Sequence, residues 1–144
     1  MTQGARSARR TRIASYAIAI DNGAILVARI AAGYPGQGRW TLPGGGVEWG
    51  EHPDDALVRE VHEETGFSVT EFSLIGVNSR VFTQTARHQG LHAVRMLYDV
   101  PLRGEPRVVE VNGSVDAAAW LPLDEIAVTD TVELVRVGLE MMLR

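Results

Sequence analysis

The chain has 144 residues, 45% of them hydrophobic and 22% charged, and a net charge of −4 at neutral pH. This is the size and balance of one ordinary globular domain, able to bury roughly 68–70% of its unfolded surface. The charge balance argues against a nucleic-acid or membrane-surface protein, no apolar run nears the ~18 residues of a membrane span, and the lack of cysteine excludes disulfides and thiolate metal sites.

Residues 1–11 are basic and lack the apolar segment of a secretion signal, so they read as a flexible tail ahead of a single domain over 12–144. Two apolar runs, 12–20 and 24–30, flank Asp21-Asn22-Gly23, and this predicts a β-hairpin. Residues 31–39, rich in glycine, read as a loop. A short apolar piece from Trp40 then meets Pro43-Gly44-Gly45-Gly46. Pro53 suits a first helical position, Asp54 and Asp55 its first turn, and Gly66 its stop, so the spacing predicts a helix over 53–65. His52 would be the N-cap, where it is not a favoured residue. Residues 67–77 and 93–100 read as strands, with a polar loop or hairpin tip over 78–91. Residues 101–116 read as loop and 117–123 as a short strand. Asp130 and Glu133 resemble a capping box, ahead of a helical stripe of Val132, Val135, Leu139 and Met142. The expected class is α+β, with helices packed on a central sheet.

The end of the first helix is unusual. Arg59-Glu60-Val61-His62-Glu63-Glu64 crowds three carboxylates at the negative end of the helix dipole, where each costs roughly 0.3–1 kcal/mol. Glu60 and Glu64, four apart, add roughly 0.2–0.5 kcal/mol of repulsion. They border the apolar stripe of Leu57 and Val61. A hard divalent cation would resolve this repulsion, since Mg²⁺ takes oxygen ligands and keeps several waters. A solvated acidic face is the other reading of the same residues.

Gly45, five residues, Glu51, seven residues, Arg59-Glu60-Val61, one residue, Glu63-Glu64, one residue, Gly66-Phe67: this spacing resembles the Nudix box at every specified position. A chance match in a chain of this length is of order one in ten million. The resemblance implies an α/β/α sandwich around a mixed β-sheet, with the box as loop–helix–loop. It implies a Mg²⁺-dependent hydrolase (Mn²⁺ as substitute) of a nucleoside diphosphate linked to another moiety. Carried over residue by residue, Glu60 and Glu64 are metal ligands, Glu63 lies close to the same ions, and the Gly45 carbonyl is a backbone ligand. Glu51 supports the helix and Arg59 orients the acidic cluster. Glu63 is the favoured general base within the box. Glu110 is the best distal candidate for a base or ligand, with Asp116 next.

Two further residues are candidate substrate contacts. Arg29 ends a strand near the expected substrate mouth, where it can hold a phosphate, and Trp40 can stack on a base or pack in the core. His88 and His92 are four apart but not on a predicted helix, so zinc geometry is not expected. Residues 68–100 hold no proline, which counts against an ADP-ribose-type member. The short chain and "LPGGGVEWGE" look most like the mutator-type group, acting on nucleoside triphosphates, oxidised ones included. Nucleotide sugars, ADP-ribose and dinucleoside polyphosphates stay open, as does a non-catalytic nucleotide sensor. The expectation is a cytoplasmic monomer or homodimer acting on a small nucleotide, with no membrane or nucleic-acid partner.

Overall fold

The computed structural model describes residues 8–83 and 89–144. Its strands are β1 (Arg10–Ile18), β2 (Ile20–Asp21), β3 (Ala24–Ile30), β4 (Trp40–Thr41), β5 (Gly44–Gly46), β6 (Ser73–Thr83), β7 (Gly90–Asp99) and β8 (Val115–Pro122). Two α-helices, α1 (Pro53–Thr65) and α2 (Glu133–Met142), and a 3-10 helix at Leu123–Val128 complete it. One sheet runs β5-β1-β7-β6, with β1 and β7 parallel and the outer pairs antiparallel. The other is built on β3, which pairs antiparallel with β2, β4 and β8. This is a mixed α/β fold of the expected class.

Alternation along β1 divides the core into two layers. Ala17 faces α1 and packs with Leu57, Val61, Tyr98 and Val100. Ile18 faces the other way and packs with Leu97, Leu42, Ile25 and Val135 of α2. The sheet is thus sandwiched between the two helices.

Helix α1 spans the expected residues, 53–65, and Gly66 closes it in the left-handed region at φ 77°, its N–H donating to the His62 carbonyl. That conformation is one a side chain would resist. His52, unfavoured by residue type, does cap the helix: its Nδ1 accepts from the Asp54 N–H at 3.0 Å. The Tyr98 hydroxyl donates to Asp54 at 2.7 Å and ties the helix start to the sheet.

Four readings need correction. The Asn22-Gly23 turn is present, with both residues at positive φ, but the hairpin is only β2 with β3. The longer run β1 leaves it at Ala19 and pairs with β7 instead, because its two apolar faces fit between the helices. Second, 67–72 is not strand, and the polar residues after Val77 continue β6 as far as Thr83, where an edge strand keeps one side toward water. Third, Asp130 caps nothing. Val132 is the N-cap of α2 without a side-chain bond, and Asp130 pairs with Arg39 at 3.2 Å. Fourth, Leu123 does not end a strand: β8 stops at Pro122, and Leu123–Val128 is a 3-10 helix. His88 lies outside the described residues; His92 shares a hydrogen bond with Ser79 at 2.6 Å.

Candidate active site

Helix α1 delivers its last-turn acids to the edge of the sheet beside β5. Glu64 is 4% exposed. Its Oε1 accepts from the Gly44 N–H at 3.1 Å, the one backbone donor that reaches it among the described residues. Burial pushes the Glu64 carboxyl well above the usual carboxylate range; Gly44 opposes this, while Glu60 and Glu110 add to it. Glu63 is also raised, by burial first, then by the charges of Glu60 and Glu110, with Arg59 acting the other way. Glu60 lies against the bare Cα of Gly45: a Cβ there would stand 2.7 Å from its carboxyl carbon. Any other residue type would push that carboxylate aside.

Arg59 organises the acids. Its Nε and Nη2 donate to the two oxygens of Glu51, each at 2.9 Å. Nη1 donates to Glu60 at 2.9 Å and Nη2 to the Gly46 carbonyl at 3.1 Å. Glu63 and Glu48 approach to 3.6 and 3.8 Å. The paired Arg59 holds the Glu51 carboxyl down at about 2, helped by the Glu48 N–H. Glu51 raises Arg59 in return, against the opposing effect of burial. Helix α1 and the turn before it are therefore clamped on one guanidinium, whose planar fork suits this work.

Glu110, distant in sequence, is brought to the same place. The last carbonyls of α1 need donors. Val109 and Glu110 donate to the Glu63 carbonyl at 2.9 and 3.0 Å, and Arg107 donates to Thr65 at 2.8 Å. The Glu110 carboxyl folds over Gly113, a position where a Cβ would collide with it, and its charge is one of those that raise Glu63. This docking was not visible in the sequence, although Asn112, at φ 59°, and Gly113 mark the turn that permits it. Asp116 is engaged elsewhere, on Arg29 at 2.8 Å. Arg29 also lies over the Trp40 ring, 5.7 Å from its centre. Trp40 packs against the α2-side core. Arg29, Asp116 and Trp40 thus form one group.

The donor set fits a hard divalent ion. It is all oxygen, and it includes a buried carboxyl whose neighbours are mostly other carboxyls. Among the described residues no three acidic or imidazole groups are already closed about one point, because Glu60 turns to Arg59. Mg²⁺ needs few protein ligands, since it keeps waters and takes substrate phosphates.

A sandwich with a clamped acidic helix end on a glycine strand defines a class of hydrolase acting on phosphoanhydrides. A family model of the NUDIX domain matches residues 10–137, and the chain belongs to the Nudix hydrolase family. It is 33% identical over 127 residues to Nudix hydrolase 2 of Arabidopsis thaliana, a match that covers 86% of this chain but 43% of the plant protein. It is 30% identical over 114 residues to the nucleoside triphosphatase NudI of Escherichia coli, covering 74% of this chain and 78% of that one. A MutT NUDIX hydrolase from Burkholderia pseudomallei superposes with a TM-score of 0.76 at 32% identity, over 92% of this chain and 98% of that chain. Among the described residues, no helix is long and apolar enough to cross a membrane.

Proposed function

We propose that the protein hydrolyses a nucleoside triphosphate, oxidised ones included, to the monophosphate and pyrophosphate, with Mg²⁺ held by Glu60, Glu64, Glu63 and the Gly45 carbonyl. The observation that carries this is the buried Glu64 carboxyl, set among Glu60, Glu63 and Glu110 with a single backbone donor. Such an arrangement is costly unless a cation joins it. The likeness to a protein named nucleoside triphosphatase supports the triphosphate as substrate.

When bound, Mg²⁺ would offset phosphate charge and lower the pKa of a bound water. The chain's residues do the rest. Glu63 accepts the proton of the attacking water. Glu110, docked by its backbone N–H on the Glu63 carbonyl, stands beside that base. Arg59 fixes Glu60 and keeps Glu51 ionised. Burial of Glu64 holds water off one side of the site.

The test is a substrate panel of ribo- and deoxynucleoside triphosphates, nucleotide sugars, ADP-ribose and dinucleoside polyphosphates, each assayed with Mg²⁺ and with EDTA. Triphosphates should give monophosphate and pyrophosphate, and EDTA should abolish turnover. Full turnover in EDTA would overturn the metal's role. Turnover confined to another class would overturn the substrate. Nucleotide binding without any turnover would make the protein a sensor.

A further inference from the structure

On the face of the β5-β1-β7-β6 sheet opposite α1 lies a cluster of the other sign. Arg95 of β7 is 9% exposed. Its Nε donates to Asn78 Oδ1 of β6 at 3.0 Å, and Nη2 donates to the same oxygen. A guanidinium has five N–H groups; among the described residues the other three have no acceptor. No carboxylate pairs with Arg95 among the described residues, and residues 1–7 and 84–88 contain no Asp or Glu that could. Burial pulls this guanidinium below its ordinary value; Tyr16 and Glu133 act the other way, while Arg80 and Arg12 add to the fall.

The register gathers these charges. Arg95 is opposite Ala14, and Arg12 is opposite Ala93 on the neighbouring strand, so Arg12 and Arg95 share one face and lie on a diagonal. Asn78 and Arg80 share that face on β6. Arg80 is committed to Glu133 at 3.1 Å. Arg12 has no ion pair among the described residues, and its guanidinium lies against Gly46, Nη2 standing 3.2 Å from where a Cβ would be. Gly45 meets Glu60 on one side of β5 and Gly46 meets Arg12 on the other. The two glycines therefore set Glu60 and Arg12 on opposite faces of one edge strand.

We propose that Arg95, Asn78 and Arg12 form a phosphate-binding subsite, which holds a phosphate of the substrate beyond those at the carboxylates. This rests on the reading of the substrate as a nucleotide. The chemistry required is an anion with acceptors only. Arg95 fixes Asn78 by its oxygen, which leaves the amide N–H₂ as a further donor. A buried unpaired cation costs stability, and a phosphate oxyanion matches the guanidinium fork.

The experiment is calorimetric titration of inorganic pyrophosphate into the whole protein, in buffer stripped of divalent ions. The wild type, Arg95→Met, Arg12→Gln and Glu64→Gln are compared. Arg95→Met keeps volume, so its melting temperature should equal or exceed the parent's. Its Kd for pyrophosphate should weaken by about tenfold or more, as loss of a charged hydrogen-bonding group implies. Arg12→Gln, on a half-exposed residue, should weaken binding in the same direction and covers the case where Arg95→Met does not fold. Glu64→Gln should bind as well as the parent or better. Under turnover, Arg95→Met should raise KM about tenfold with kcat within about threefold, the mark of uniform binding. Parent-like pyrophosphate binding in Arg12→Gln and in a folded Arg95→Met overturns the subsite. A nucleoside competing as well as its monophosphate would show that a base edge, not a phosphate, is read, and overturns it too. Absence of turnover on every nucleotide, with pyrophosphate binding still dependent on Arg95, would fail the substrate reading and leave the subsite standing.

Discussion

The two sides of β5 are mirror images in charge. On the α1 side, Glu60, Glu63, Glu64 and Glu110 gather, and Arg59 pairs with Glu60; on the other, Arg12, Arg80 and Arg95 gather, and Glu133 pairs with Arg80. Each side buries one ion more than nine tenths, Glu64 at 4% exposed and Arg95 at 9%. Burying an ion costs several kcal/mol unless it is paired, and among the described residues neither Glu64 nor Arg95 forms an ion pair. Ligands of opposite sign would complete both. The sides differ in what they can do without a ligand. A carboxyl can take up a proton as its pKa rises, whereas a guanidinium stays charged at any working pH. Only the acidic side should therefore change its charge with pH.

The largest expected effect tests whether Glu110 belongs to the acidic side by function as well as by position. Glu110→Gln keeps shape and the backbone bonds to the Glu63 carbonyl, but removes a charge and a proton site. It should lower kcat by at least about tenfold, since a positioned proton-transfer group is typically worth 10²–10⁴. Steady-state kinetics with saturating Mg²⁺ measures this. An unchanged rate would make Glu110 a docking residue only, and the acidic side would shrink to α1.

Next comes the clamp. Arg59→Lys keeps the charge but loses the fork that binds Glu51 twice and reaches Glu60 and Gly46 as well. Partly buried, it should cost about 1–3 kcal/mol, between exposed and fully buried pairs, read by urea denaturation. The sign with pH comes from Glu51. Its folded carboxyl is lowered from 4.5 to about 2, so its contribution is present above the unfolded value and is lost as pH falls through the folded one. The gap between parent and Arg59→Lys should narrow as pH falls from about 4.5 toward 2. A gap that stays constant would mean the arginine acts by packing alone.

The acidic side was legible in the sequence because its signal is local. Gly45 to Phe67 is one stretch, and a fixed spacing along a helix fixes which side chains meet. The helix over 53–65 was legible for the same reason: proline, acids and glycine act on their own neighbourhood. The illegible part depends on register between distant strands. Arg95 reads as an ordinary residue of an alternating strand. Only pairing with β1 and β6 puts it beside Arg12 and Asn78, with no acid in ion-pair contact with it among the described residues. Glu110 was a distal candidate by resemblance, but its contact with Glu63 arises because an irregular segment satisfies helix-end carbonyls. Asp130 misled because a capping sequence had a competing partner, Arg39, across the chain. The end of β6 was missed because polar residues on an edge strand look like loop.

The smallest effect separates the two sides most sharply. Glu64→Gln removes one charge from the helix end and from the pair with Glu60. The glutamine oxygen can still accept from Gly44, and its N–H₂ can donate to the Glu60 carboxylate beside it. Measured in EDTA, the variant should equal the parent or exceed it by roughly 0.5–1.5 kcal/mol, from the dipole and pair terms. The size should depend on pH. The folded carboxyl of Glu64 is raised, so its favourable linkage is present below the unfolded value and lost as pH rises through the folded one. The variant's advantage should therefore vanish in mild acid, where the parent binds a proton, and grow as pH rises. The Arg95→Met variant should show no such trend across the same range. With saturating Mg²⁺ the order should reverse, because the parent gains binding energy in the folded state and Glu64→Gln loses most of it. Four melting curves at each pH, both proteins with EDTA and with Mg²⁺, decide this. A variant clearly less stable than the parent in EDTA at high pH would show that Glu64 stabilises the fold by bonds of its own, and the charge would then not be held in reserve for a cation.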